Sequence, residues 1–301
     1  MNKKQIIALV AAISACLISL FAVLPIQMAK SDSGAWMADL NDDRAINTLS
    51  IPGTHDSGAT HSIADLSGKC QSLTIEEQLV IGVRFFDIRL KLNNNELNVV
   101  HSFVDQGIVF DEVLLDMVDY LTEHPTEFLI VSIKEDADPS GSDVSFTEKL
   151  EATLRACELV NTDTQLPETV GEARGRIHII SRYADSTIGF AAHQGWADST
   201  SFALGELYVQ DHYKVDFAET KIADIQAALE VARGGEYSLV LNFASCYYPD
   251  VLLPPTYAGL PAHTINPWLI ENLSKGETVG VILCDFITSE LCNTIIGGNF
   301  R

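Results

Sequence analysis

The chain has 301 residues, is 47% hydrophobic and carries 19 basic against 41 acidic side chains, a formal net charge of −22. That length and apolar content suffice for a large core, built either as two domains or as one barrel of this size. So acidic a chain lacks the basic stripe that phosphate-backbone binding needs, which excludes nucleic acid as a partner; anionic membrane surfaces repel it unless local features override the net charge.

In chain order, two lysines precede an apolar run from Ile6 to about Ile26. This pattern predicts a signal peptide or an N-terminal membrane anchor over residues 1–29, with the folded part, 34–301, exported as a secreted or cell-surface protein. Ile13-Ser14-Ala15-Cys16 resembles a lipoprotein cleavage box, but the apolar run continues past Cys16. Strand-like runs follow at 48–51, 83–90, 98–103, 127–135, 176–182, 206–211, 237–245 and 278–286. Helical patterns separate several of them, at 110–125, 144–160, 222–235 and 267–276. Near-continuous β-branched runs are the mark of parallel strands buried on both faces. Eight of them in about 250 residues predict an α/β fold, an irregular (β/α)8 TIM-type barrel. The linker at 91–98 is too short for a helix and reads as a hairpin. Beyond the leader, Cys70, Cys157, Cys246, Cys284 and Cys292 are scattered without a C-x-x-C pair, so buried free thiols are expected over a zinc ribbon, although Cys284 and Cys292 can bridge. The stretch 246–268, with Tyr247, Tyr248, Leu252, Leu253 and Tyr257, reads equally as a loop dipping into a lipid interface or one packed on its own barrel.

Chemistry in such a barrel sits at the C-terminal strand ends. Reading off those ends gives His55 and Asp56, Asp87 and Arg89, His101, Lys134, Arg182, Asp211 and Tyr213, and Asp285. Only the run at 237–245 contributes no titratable group. Pro52-Gly53 reads as a turn that swings His55 over the barrel mouth. Each residue has a plain alternative: a turn histidine at 55, a core histidine at 101, a structural Asp87–Arg89 pair, and a solvated charge run at 134–136. His61, His124, His178, His193, His212 and His263 are assigned to structure alone. Taken together, two imidazoles, carboxylates able to orient them and a guanidinium suit cleavage of a phosphodiester by an internal hydroxyl. No HExxH, P-loop, G-x-S-x-G or G-x-G-x-x-G pattern is present, which removes the common metalloprotease, nucleotidase, serine-hydrolase and dinucleotide readings.

The ordered segments "WMADLNDDRAINTLSIPGTHDSGA", "TIEEQLVIGVRFFDIRL", "NVVHSFV", "FLIVSIKED", "RGRIHIISRY", "YVQDHYKV" and "LCDFI" resemble the bacterial phosphatidylinositol-specific phospholipases C of the X-domain family. The resemblance implies a catalytic irregular β/α barrel that cleaves phosphatidylinositol at a membrane interface, with glycosyl-phosphatidylinositol anchors as a second candidate substrate. It implies that His55 is the general base, oriented by Asp285, and that His101 is the general acid, partnered by Asp56. Arg89 takes the phosphate, supported by Asp87, while Lys134, Arg182, Asp211 and Tyr213 bind the inositol ring. Calcium-dependent relatives hold their ion with acidic residues near the "DIR" segment. Arg89 there implies metal independence and no cofactor; separately, the chain is expected to act as a monomer. Two other readings are weighed against this: a non-catalytic inositol-lipid binding module, and a metal-dependent phosphodiesterase acting on another head group.

Overall fold

A computed structural model describes residues 33–61, 68–102, 104–249 and 258–301. The expected leader over 1–29 lies outside the described residues, as do Leu252, Leu253 and Tyr257 of the apolar stretch. The strands, in chain order, are β1 (Ser50–Thr54), β2 (Phe85–Asn93), β3 (Glu96–His101), β4 (Val104–Val109), β5 (Leu129–Glu135), β6 (Val160–Asn161), β7 (Ile177–Arg182), β8 (Phe190–Ala191), β9 (Ser201–Leu204), β10 (Leu207–Gln210), β11 (Leu239–Phe243) and β12 (Gly280–Cys284). Seven of them form a parallel path, β7-β5-β2-β1-β12-β11-β10. The last strand pairs with the first, Ser50 opposite Gly280 through Thr54 opposite Cys284, and so curls the sheet into a barrel.

The barrel is irregular in two ways. The outer edge of β7 pairs with the short strands β6 and β8, and that of β10 with the antiparallel β9. Among the described residues no ladder joins these two edges, so the barrel is open there. Second, the run expected at 98–103 is not a barrel strand but β3, antiparallel to β2. Only Asn94 and Asn95 connect the two, with φ of 50° and 65°, the positive pair a tight hairpin turn requires and asparagine tolerates. The parallel strands of the main barrel path therefore number seven, and β3 with β4 forms an arm beside the mouth.

Local sequence explains the helices. Phe110–Glu123 buries Phe110, Val113, Leu114, Met117 and Leu121 along one stripe. Phe146–Ala156 starts at Ser145, whose hydroxyl accepts from the Glu148 N–H. Ala218–Gly234 stops at Gly235, left-handed with φ 67°. One boundary departs from the reading above. The helix expected to begin at Pro267 runs Gly259–Asn272, with Pro267 inside it and Ile265 and Leu269 buried. Packing of that apolar face outweighs the missing proline N–H.

The Pro52-Gly53 turn is also corrected: both residues lie within β1, fully buried between β2 and β12. Gly53 is there for space, since a Cβ would stand 3.1 Å from Phe85, 3.2 Å from Val281 and 3.3 Å from Leu283. The chain turns instead at Asp56, with φ 45°. At the start of β2, the fully buried Arg84 pairs with Glu127 at 2.7 Å and donates to Leu79 O and Val83 O. Its other nitrogen reaches Gly34 O and the Tyr120 hydroxyl. A buried cation is tolerated only while so compensated. Glu127→Leu should therefore destabilise the protein by about 3–5 kcal/mol in urea unfolding, and adding Arg84→Met should recover part of that loss.

Candidate active site

The C-terminal strand ends open on a cavity of about 650 Å³ lined by His55, Arg89, His101, Lys134, Arg182, Asp211, Tyr213 and Asp285, among others. Asp56, 1% exposed, lies just behind them. All nine predicted site residues thus come together. The arm supplies His101 from β3, so this histidine arrives from beside the barrel and not from a barrel strand.

His55 follows β1, and its N–H donates to Cys284 O at 3.1 Å. Its Nδ1 lies 2.8 Å from Asp285 Oδ1, and its Nε2 lies 2.8 Å from Arg89 Nη2. With the Nδ1 proton on the carboxylate side, Nε2 presents a lone pair toward the cavity. Burial pulls the imidazole pKa down and Arg89 does the same, but Asp285 outweighs both, and the pKa is raised above the ordinary histidine value. Gln71 fixes the turn from below, its amide donating to His55 O and Cys284 O, each at 2.8 Å.

Arg89 binds Asp87 Oδ2 through two nitrogens at 3.2 Å each, and stands 3.4 Å from Asp56 Oδ2 and 3.9 Å from Asp136 Oδ1. These aspartates, against burial, raise its pKa well above the usual arginine value. Burial alone would raise Asp87, but Arg89 and Arg182 hold it far below the ordinary carboxylate range. Arg182 Nη1 donates to Asp87 Oδ1 at 3.1 Å. Asp87 therefore fixes both guanidinium groups. Asp56 is the opposite case: burial pushes its pKa up despite Arg89 and His101, and its Oδ2 stands 3.4 Å from His101 Nε2.

The ring-binding side contains groups the sequence did not single out. The Arg182 guanidinium lies 3.7 Å over the Trp196 ring, and Trp196 Nε1 donates to Asp211 Oδ2 at 3.1 Å, so one indole orients both. Lys134 pairs with Asp136, whose other oxygen accepts from the Ser102 N–H at 2.8 Å. The charge run at 134–136 is thus part of the wall and not a solvated loop. Tyr213 hydrogen-bonds Asp198 and faces Tyr247 at 6.0 Å. His193, assigned to structure alone, lines the cavity, as do Ser245, Cys246 and Tyr247 from the end of β11. Trp196, His193 and Ser245 do not stand out in sequence, because an isolated tryptophan, histidine or serine carries no spacing signal, while Cys246 and Tyr247 read there only as a free thiol and as part of the apolar stretch. The cysteines at 70, 157, 246, 284 and 292 are all unpaired thiols, as expected.

In this β/α barrel two carboxylate-paired imidazoles flank a fixed guanidinium, an arrangement able to move protons by acid–base chemistry. Residues 49–183 match the model of the phosphatidylinositol-specific phospholipase C X domain. A 1-phosphatidylinositol phosphodiesterase of Staphylococcus aureus strain Newman is 29% identical over 279 residues, spanning 83% of this chain and 87% of that protein. The Listeria monocytogenes protein of the same name is 24% identical over 277 residues, 88% of this chain and 84% of its own. Among solved structures, a double mutant of the S. aureus phosphatidylinositol-specific phospholipase C superposes with a TM-score of 0.80 at 26% identity, covering 90% of this chain and 98% of that one. These matches make the chain a relative of the bacterial phosphatidylinositol-specific phospholipases C, with its residues 49–183 similar to their X domain.

The His55–Asp285 pair sets a pH dependence. In the base role proposed for His55 below, a neutral imidazole is needed, so activity falls as pH drops through its raised pKa. Asp285→Asn removes the interaction favouring the imidazolium while burial persists, so the acid limb of kcat/KM should move to lower pH, with kcat reduced about 10²–10⁴-fold.

Proposed function

We propose that the protein is a phosphatidylinositol-specific phospholipase C that splits its substrate into diacylglycerol and inositol 1,2-cyclic phosphate. The observation that carries this reading is the placement of His55 and His101 on opposite sides of one Arg89–Asp56 link, with Asp285 behind His55. The inositol 2-hydroxyl gives its proton to His55 Nε2 as its oxygen attacks phosphorus. A phosphate oxygen takes the place of His55 Nε2 on Arg89, which frees the base and places the guanidinium on the developing charge. His101 protonates the departing glycerol oxygen. Asp56, 3.4 Å from His101 Nε2, steadies the imidazolium that gives up this proton. Water then opens the cyclic ester more slowly, with the two imidazoles in exchanged roles. Arg182, Asp211 and Lys134 bind the ring hydroxyls, and the Tyr213 ring covers an apolar face.

Arg89 occupies the centre of the carboxylate cluster, where it supplies the positive charge that a metal provides in calcium-dependent relatives. The N-terminal pattern supports export, with the enzyme secreted or held at the cell surface and acting as a monomer on phosphatidylinositol at a membrane. Among the described residues no helix is long and apolar enough to cross a membrane.

Phosphorus NMR of a reaction with phosphatidylinositol should show the cyclic phosphate first; linear phosphate alone would overturn the mechanism. His55→Ala and His101→Ala should each cost at least about 10²–10⁴-fold. An inositol phosphodiester with an aryl leaving group needs no general acid, so it should restore turnover to His101→Ala but not to His55→Ala. Full activity is expected in excess chelator, and a loss restored by calcium would refute metal independence.

A further inference from the structure

Cys70 is not used in this reaction, yet it stands between both catalytic pairs. Donor atoms of His55, Cys70 and Asp285 lie within 4.8 Å of one another, and so do those of Asp56, Cys70 and His101. The thiol lines the cavity although Cys70 is only 1% exposed. Its backbone is pinned on both sides: its N–H donates to Ala59 O at 2.8 Å, and its carbonyl accepts from the Phe286 N–H at 2.7 Å. It is thereby held between the loop after β1 and the loop after β12.

The two clusters differ in one respect. His55 and Asp285 already hydrogen-bond each other at 2.8 Å. Asp56, by contrast, is buried with neither carboxylate oxygen hydrogen-bonded, its basic neighbours Arg89 Nε and His101 Nε2 standing at 3.4 Å. A buried carboxylate left without hydrogen bonds is costly, and a ligand that satisfies it is favoured. The surroundings are also negative at the sulfur: burial, then Asp285 and Asp56, hold the thiol protonated well above its usual pKa. A dication reverses that preference by binding the thiolate directly.

We propose that Asp56, Cys70 and His101 form an inhibitory site for a thiophilic divalent cation of the zinc class. A thiolate, an imidazole and a carboxylate are ligands zinc accepts, with a fourth position open to water. The Asp56 and His101 donor atoms already stand 3.4 Å apart, a separation that ligands about 2.0–2.2 Å from zinc adopt, so closing on the ion requires only the Cys70 sulfur to move in, by at most roughly 1 Å. The thiolate discriminates against magnesium and calcium, which take oxygen ligands. On binding, the Cys70 thiol loses its proton to solvent as the metal–sulfur bond forms, and His101 Nε2 gives its lone pair to the ion. The general acid is then withdrawn and the phosphate position carries a cation beside Arg89. Inhibition rests on the function proposed above; binding does not.

The test uses the full chain with Zn²⁺ and Cd²⁺ as probes. Cadmium should produce a thiolate-to-metal absorption band that saturates at one equivalent, and zinc should suppress cleavage reversibly on addition of chelator. Cys70→Ala and Cys70→Ser should keep basal activity, lose that band and raise the half-inhibitory zinc concentration at least about tenfold. His101→Ala, read by the absorption band alone, should weaken cadmium binding. Unchanged zinc sensitivity or a persistent one-equivalent band in both Cys70 variants would overturn the site. A Cys70-dependent band in a protein that never cleaves phosphatidylinositol would leave the metal site standing and remove the function.

Discussion

Asp87 holds two arginines in place at the centre of the barrel mouth, and the rest of the site depends on it. One oxygen faces Arg89 and the other faces Arg182, and the Asp56 N–H also donates to it at 3.2 Å. Isolated charges at such depth are prohibitively costly, so each exists only because the others do. Arg89, which lines the cavity, is thus held rigid by its carboxylate partners. Preorganised charge acts on a transition state without reorganising first, which is where most electrostatic catalysis arises.

The turn at Asp56 shows how backbone and chemistry are coupled. A non-glycine residue with φ 45° is disfavoured, and here hydrogen bonds overrule the preference. The Asp56 N–H is held by the Asp87 side chain, and the Ser57 N–H donates to Asp87 O at 2.8 Å. That conformation sends His55 toward Asp285 on β12 and Asp56 toward His101 on the arm. Neighbours in sequence therefore serve different partners. Packing enforces the same separation from below, because Gly53 lets β2 and β12 approach β1 more closely than any side chain permits.

The opening between β7 and β10 has a functional counterpart. Trp196, between β8 and β9, lies on this side of the mouth, where it stacks on Arg182 and hydrogen-bonds Asp211. Where a closed barrel would place strand against strand, this one places an indole joining the last groups of β7 and β10. This wall of the cavity is thus a tertiary bridge across the open seam.

The seven strands of the parallel path, most helices and the nine candidate site residues were legible because each carries a local signal, whereas the short strands β4, β6, β8 and β9 were not. Parallel strands buried on both faces read as apolar runs, and polar groups at their ends read as exceptions to those runs. Other features left no such trace. Pro52-Gly53 has the composition of a turn, but pairing on both sides holds it as strand; Pro267 has the composition of a helix start, but packing of Ile265 and Leu269 extends the helix past it. Trp196, Gln71, Asp136 and Cys70 join the site through contacts over long sequence separations. By itself the sequence determined the barrel class, the family and the titratable groups at the mouth, since periodicity and residue type are local properties. Only the tertiary structure decided which carboxylate serves which imidazole, where the barrel stays open and which silent residues reach the cavity, because partner choice depends on distances that no spacing along the chain encodes.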